Sequence, residues 1–193
     1  MKKETTDREN RIFRGLVFAV CITFIFGLFL ADVSVAKTAK EIDSEVNEAL
    51  NLFSKQVKGT KEFLNKAKGM LIIPNIVKAG LGVGGQYGEG AMRIGGKTVA
   101  YYSLAAGSVG IQIGAQKTNL LLVFRQEEAL KKFRAGSGWK AGVDGSVAFI
   151  DTGAGKSLDT MNMNDPIVAF LFGQQGLMAS ATIEGAKFTK LAR

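Results

Sequence analysis

The apolar residues between positions 39 and 57 recur every three or four places, and charged side chains fall between them. This spacing predicts an amphipathic helix whose apolar stripe packs against a protein core. Gly59 interrupts the pattern, and a shorter helical segment follows from Thr60 until Gly69. The chain beyond position 38 therefore begins with two helices.

After Gly69 the pattern changes to short apolar or alternating runs separated by glycines, among them "TNLLLVF", "PIVAFLFG" and "KFTKL". Short strands at close spacing with glycine turns are typical of an antiparallel sheet or barrel. The pair Gly95-Gly96 and residues 173–176 are predicted to be hairpin connections. One more short helix is predicted at residues 126–133, where the apolar residues share a face.

The predicted fold class is therefore α+β. N-terminal amphipathic helices lead into a glycine-rich, mostly antiparallel β-sheet or barrel-like body, with one further short helix.

The first 36 residues have the pattern of a signal peptide. Basic residues precede an apolar run over residues 16–31, and the small residues Ser34 and Ala36 follow it. We expect cleavage after Ala36, so that residues 37–193 form a single exported domain. A retained anchor is the alternative, although the run is shorter than the roughly 20 residues of a spanning helix. Cys21, the single cysteine, lies within this run, so no disulfide is expected in the exported domain.

The chain is basic, with a formal net charge of +8, and contains no histidine. A basic exported domain favours anionic partners such as phospholipid head groups. The lack of histidine excludes Ser/His/Asp and Cys/His nucleophilic catalysis and histidine-ligated metals. We expect a protein that is not an enzyme, with no catalytic residue, metal or cofactor.

Two segments resemble phosphate-binding loops. "GAGKS" contains Lys156 and Ser157, but a Walker loop requires glycine five residues before Gly155, where this chain has Ile150. "GLGVGG", residues 80–85, fits the dinucleotide pattern, but more glycines follow it instead of a helix. Alternating glycines of this kind are typical of strands that bend or pack closely. We expect neither nucleotide nor nucleic acid as a partner.

Four glycine-rich stretches together resemble the SYLF lipid-binding family. They are "GLGVGGQYGEGAM", "SVGIQIGAQKTNLLLVF", "GVDGSVAFIDTGAG" and "DPIVAFLFGQQGLMASATIEGAKFTKL". The resemblance spans residues 39–191. It implies non-enzymatic binding of anionic phospholipid, through phosphoinositide-like head groups, at a membrane surface. With the export signal, it implies a periplasmic or membrane-associated protein of a bacterial envelope.

The densest basic stretch of the exported domain contains the candidate lipid-binding residues Lys55, Lys58, Lys61, Lys66 and Lys68, and Lys156 is a secondary candidate. Lysines near an anionic bilayer each favour binding by about 1 kcal/mol. The alternative is that these lysines form only the solvated face of two helices. In that case the protein would be a structural or protein-interaction factor of the envelope, and its positive charge would be incidental.

Overall fold

The computed structural model of the chain describes residues 37–110, 116–136, 138–151, 165–175 and 185–193. The predicted signal peptide, residues 1–36, lies outside these ranges, as do Lys156 and Ser157. The described residues belong to one compact unit, Lys37–Arg193.

Three helices are present in the described ranges, and all three were predicted. They are α1 (Ala39–Gln56), α2 (Thr60–Asn65) and α3 (Glu127–Ala135). Helix α1 begins with a capping box, in which Thr38 accepts the backbone N–H of Glu41 and the Glu41 carboxylate accepts the backbone N–H of Thr38. These bonds satisfy backbone donors that would otherwise lack partners at the helix start.

The apolar stripe of α1 packs against the sheet, as the spacing predicts. Its buried residues are Ile42, Val46, Ala49 and Phe53. The Phe53 ring contacts two phenylalanine rings of the sheet, Phe170 at 5.1 Å and Phe172 at 5.0 Å between centroids. The interpretation of α1 as a core-packing helix is therefore confirmed.

The described residues contain seven strands that form one mixed sheet. They are β1 (Gly69–Ile94), β2 (Lys97–Gly110), β3 (Gln116–Phe124), β4 (Trp139–Lys140), β5 (Ala148–Asp151), β6 (Ile167–Gln175) and β7 (Lys187–Leu191). Their order is β4-β7-β2-β1-β3-β6-β5. Within this described sheet β5 and β6 run parallel, and the other neighbouring strands are antiparallel. The predicted α+β class with a β-rich body is confirmed.

Strand β1 is one run of 26 residues, although its sequence suggests two separate strands at "MLIIP" and "GGQYGEGAMRIGG". Its first part pairs with β3 and its last part pairs with β2. The two parts also lie against each other, because a Cβ on Gly90 would overlap the backbone of Ile72 and one on Gly88 would lie 2.8 Å from a side-chain carbon of Ile73. Glycines at these positions therefore allow a close backbone approach that no other residue permits.

The two predicted hairpin connections differ in outcome. Gly95 and Gly96 both have positive φ, at 57° and 79°, and join β1 to β2 in a two-residue turn. The predicted hairpin connection at residues 173–176 is wrong for residues 173–175, which continue strand β6. Gly176 lies outside the described residues. Gly173 has a φ of 62° beside a register shift in the β3–β6 pairing, so it forms an irregularity within the strand.

The sheet buries both of its faces. We call them the α1 face and the α3 face, after the helix that packs on each. Alternating residues of β3 show the division, since Leu121 and Val123 join the α1 cluster whereas Leu120, Leu122 and Phe124 join the α3 cluster. On the α3 face, Leu130 and Phe133 of α3 are buried with Trp139 and Phe188.

Candidate functional site

The five lysines predicted from the α1–α2 segment are all exposed. Lys55 lies in the last turn of α1, Lys58 lies between the helices, and Lys61 lies on α2. Lys66 and Lys68 follow α2 and precede β1. We call these five residues the lysine segment; their apolar neighbours face the sheet while the ammonium groups face solvent.

Lys66 differs from the other members of the lysine segment because it has an acidic partner. Its Nζ donates to Glu62 at 2.9 Å, and both side chains are largely exposed. The hydrogen bond from Lys66, followed by its charge, lowers the pKa of Glu62 below its usual value. Within the described ranges, the other four lysines form no ion pair. Four positive charges therefore remain available to an external anion.

A further cation, Arg125, joins this surface and was missed by the sequence analysis. Lys68 donates its backbone N–H to the carbonyl of Phe124 at 2.8 Å, which places Arg125 one residue from that bond. Arg125 is exposed and in turn donates its backbone N–H to Pro166 at 2.9 Å. The sequence shows that Arg125 directly follows the predicted strand "TNLLLVF". It does not show that this strand pairs with β1, and that pairing is what brings Arg125 close to Lys68.

The turn that carries Lys58 is held by local bonds. Gly59 has a φ of 79°, which favours glycine, and the Thr60 hydroxyl donates to the carbonyl of Val57 at 2.5 Å. The Phe63 ring packs edge-on against Phe170, with 5.5 Å between centroids. Helix α2 is therefore fixed on the sheet, and the lysine segment has a defined backbone.

Several acidic residues in the first half of α1 are engaged within the protein. The Asp43 carboxylate accepts hydrogen bonds from Thr98 and from Tyr101, each at 2.8 Å. Burial, and secondarily the bond to Asp43, raises the pKa of Tyr101. Glu45 pairs with Lys37 at 2.6 Å, and the carboxylate of Glu41 belongs to the capping box. These acids anchor the start of α1.

A buried carboxylate, Glu89, also has a structural role. Arg193 pairs with it at 3.1 Å, and Tyr87 donates to it at 2.7 Å. Burial, and secondarily this hydrogen bond, raises the pKa of Tyr87 to about 12. The cluster ties the residues after β7 to β1, and its carboxylate is held by two donors.

The segment "GLGVGG" lies inside β1, where Gly82 pairs with Gly110 and Gly85 pairs with Gly107 of β2. The interpretation of these glycines as strand residues is confirmed, because no helix follows them as a dinucleotide loop requires. Lys156, the secondary lipid candidate, lies outside the described residues.

The described residues show neither a metal-binding cluster nor a membrane-spanning helix. They contain no group of three or more histidine, cysteine, aspartate or glutamate residues arranged to hold a metal ion. In the same ranges, no helix has the length and apolar character needed to cross a membrane.

The structure defines an α+β domain with a β-rich body and an exposed basic helical segment. Residues 105–192 match the model of the Ysc84 family, described as Las17-binding protein actin regulator. The resemblance to the SYLF family is thereby confirmed for this range, which runs from the second half of β2 past the end of β7. The lysine segment lies outside the matched range. No curated protein matches the chain.

Proposed function

We propose that this protein is a non-enzymatic lipid-binding domain that binds anionic phospholipid at a membrane surface in the cell envelope. The lysine segment makes the first contacts, Arg125 supports it, and Lys156 is a secondary contact. The matched family is linked to actin and lipid binding in general. We infer the preference for anionic phospholipid from the exposed lysines of this chain and not from the family.

The observation that carries the proposal is the division of the α1–α2 segment into a buried stripe and a charged outer surface. Phe53 and Val57 are buried in the α1 cluster, so these two apolar residues do not need a membrane to cover them. Lys55, Lys58 and Lys61 are exposed on the same segment. Such a surface would bind a bilayer through charge, with little insertion of apolar side chains.

The expected strength of binding follows from the number of free lysines. Each lysine held near an anionic surface contributes about 1 kcal/mol. Four of them together would raise the binding constant by about three orders of magnitude, since each 1.4 kcal/mol is about tenfold. Because the Debye length shortens from about 10 Å at 0.1 M salt to about 3 Å at 1 M, this gain falls steeply as salt is added.

A second candidate function is binding to a protein of the envelope. The matched family, which is described as Las17-binding protein actin regulator, favours it. In that case the net positive charge would be incidental, and the apolar contacts of the interface would keep its affinity nearly constant as salt rises.

The test is co-sedimentation of residues 37–193 with vesicles, since the apolar run of residues 16–31 would bind any bilayer. Vesicles of phosphatidylcholine alone are compared with vesicles containing phosphatidylglycerol, at low and high salt. The test variant replaces Lys55, Lys58, Lys61 and Lys68 with glutamate. The control variant has the same net charge and replaces the exposed lysines Lys97, Lys117, Lys140 and Lys190 with glutamate.

We expect binding only to the anionic vesicles, a loss of binding at high salt, and a loss of binding in the test variant. The control variant should retain most of its binding, which separates a local site from the effect of net charge. Equal losses in the two variants would remove the lysine segment as the site. Absence of binding by the unaltered protein would favour the protein-interaction function. A Lys156→Glu variant in the same assay tests the secondary contact.

Export is also part of the proposal, and it rests on the pattern of residues 1–36. N-terminal sequencing of the protein recovered from the envelope fraction should give a chain that starts at Lys37. A chain that still starts at Met1 in the membrane fraction would instead support a retained anchor.

A further inference from the structure

A cleft of about 530 Å³ opens beside helix α3, and none of the five lysines of the lysine segment lines it. Helix α3 forms one wall and the turn after β4 forms the other. Its apolar lining includes Trp139, Ile167, Ala129 and Ala135. The volume falls in the range of about 300 to 1,000 Å³ that is usual for small-molecule sites.

The floor of the cleft is rigid. The Trp139 ring packs against Phe133 at 5.2 Å and against Phe188 at 5.7 Å between centroids. Gly145 lies against the same ring, since a Cβ there would lie 3.0 Å from a Trp139 ring carbon. Trp139 is only 4% exposed, so its orientation is set by the protein and a ligand would meet a preformed apolar surface.

The turn that forms the second wall is fixed by its own hydrogen bonds. The Asp144 carboxylate accepts the backbone N–H of Lys140 at 2.7 Å, and the backbone N–H of Asp144 donates to the carbonyl of Lys140 at 2.9 Å. One oxygen of this lining carboxylate is therefore engaged by the turn itself.

The lining carries two lysines, Lys131 and Lys132, and two carboxylates, Glu128 and Asp144, and they differ in whether they are paired. Lys131 lies 3.6 Å from Glu128, so these two lining charges offset each other. Lys132 also lines the cleft, is exposed, and forms no ion pair within the described ranges. A ligand with an apolar body and one negative charge would match this arrangement.

We propose that the cleft binds a single-chain anionic amphiphile of the fatty-acid type. Its alkyl chain lies against Trp139 and Ile167, and its carboxylate lies at Lys132. This site is independent of the lysine segment, because it takes one chain as a monomer and does not need a bilayer surface.

The test uses the fact that Trp139 is the single tryptophan of the chain. Bromine atoms quench indole fluorescence on close contact, so the protein is titrated with dibrominated stearate below the concentration at which it forms micelles. We expect saturable quenching with one site per chain. The methyl ester of the same acid should bind up to about fivefold more weakly, since it lacks the charge that contacts Lys132.

Three variants place the ligand in the cleft. Ala135→Phe and Ser146→Phe each add a ring from one wall, and we expect each to weaken stearate binding at least about tenfold, which is the effect of losing most apolar contact. Lys132→Glu should weaken binding of stearate and leave binding of the methyl ester unchanged. Lys97→Glu, an exposed lysine outside the cleft, is the matched control and should change neither.

The ligand-free emission of Trp139 shows whether each variant keeps its fold. Quenching that does not saturate, or that is equal in the wild type and in both phenylalanine variants, would overturn the proposal. Equal loss of stearate binding in Lys132→Glu and Lys97→Glu would overturn the placement of the carboxylate. Vesicle binding by the lysine segment is measured separately, so failure of one proposal leaves the other standing.

Discussion

The two faces of the sheet are covered in different ways. On the α1 face an 18-residue helix carries four buried residues across the strands and leaves its charged side chains outside. On the α3 face a nine-residue helix meets an aromatic cluster centred on Phe133, and the space beside that helix is the cleft. The long helix thus covers part of the core beneath a charged exterior, whereas a cleft lies beside the short helix.

The largest expected effects come from removing the central ring of each face. Phe53→Ala and Phe133→Ala should each lower the free energy of unfolding by about 3 to 5 kcal/mol, because both rings are fully buried. Urea unfolding measures this loss. Only Phe133→Ala should shift the emission of Trp139 in the folded state, since Phe133 contacts that ring. Phe149→Ala, at an exposed ring, is the control and should cost under about 1 kcal/mol.

A smaller loss of stability is expected from removing the buried amide of Asn119. This residue lies on β3 next to Leu120 of the α3 cluster, so it belongs to the α1 face of that strand. Its Oδ1 accepts the backbone N–H of Asn75 at 3.0 Å, and its Nδ2 donates to the carbonyl of Phe172 at 3.2 Å. Asn119→Ala leaves both backbone groups without this partner, so we expect a loss of about 1 to 3 kcal/mol in urea unfolding. Gln174→Ala, an exposed amide on β6, should change stability little. Similar values for the two variants would contradict the bridging role.

Substitutions at the starts of α1 and α3 should differ by about 1 kcal/mol in their effect on the free energy of unfolding. Thr38→Ala removes the capping box of α1 and should lower the free energy of unfolding by about that amount. The first residue before α3, Gln126, makes no side-chain capping bond. Gln126→Ala should therefore have a much smaller effect on stability in the same chemical denaturation experiment. A larger loss for Gln126→Ala would mean that α3 depends on its start more than the structure indicates.

The smallest effects concern the ionisation of the three tyrosines, whose pKa values are all raised, in each case mainly by burial. Tyr101 and Tyr102 are neighbours on β2 but join the α1 cluster and the α3 cluster respectively. Absorbance at 295 nm should show tyrosinate forming at higher pH in the folded protein than in the urea-unfolded protein. Since the folded pKa values exceed the unfolded value of about 10, this part of the stability is present below pH 10 and is lost as pH rises.

Asp43→Ala separates the two tyrosines. It removes the hydrogen bond and the negative charge that raise the pKa of Tyr101, so that residue should ionise at lower pH. The pKa of Tyr102 is raised by burial and not by Asp43, so the ionisation of Tyr102 should not change. Equal shifts of both tyrosines would indicate that loss of Asp43 loosens the whole sheet.

Much of this architecture was predictable because it depends on local spacing. The period of three to four residues defines both ends of α1 and α3 to within two residues. It also defines the start of α2, but that helix ends at Asn65, earlier than the predicted end at Gly69. The runs "TNLLLVF" and "KFTKL" are strands β3 and β7, and the Gly95-Gly96 turn follows from the conformational freedom of glycine. The exposed lysines were also predictable, because the apolar positions of the same helices must face the sheet.

The pairing of distant segments was decided only by the tertiary structure. Sequence spacing does not show that β1 lies between β2 and β3, and therefore it does not place Arg125 beside Lys68. Residues 173–175 form strand rather than a turn because Gln175 pairs with Lys117 of β3, a residue far earlier in the chain. The cleft arises where α3, β4 and the start of β6 meet. Local sequence thus determines the type of each element, whereas long-range packing determines which side chains share a surface.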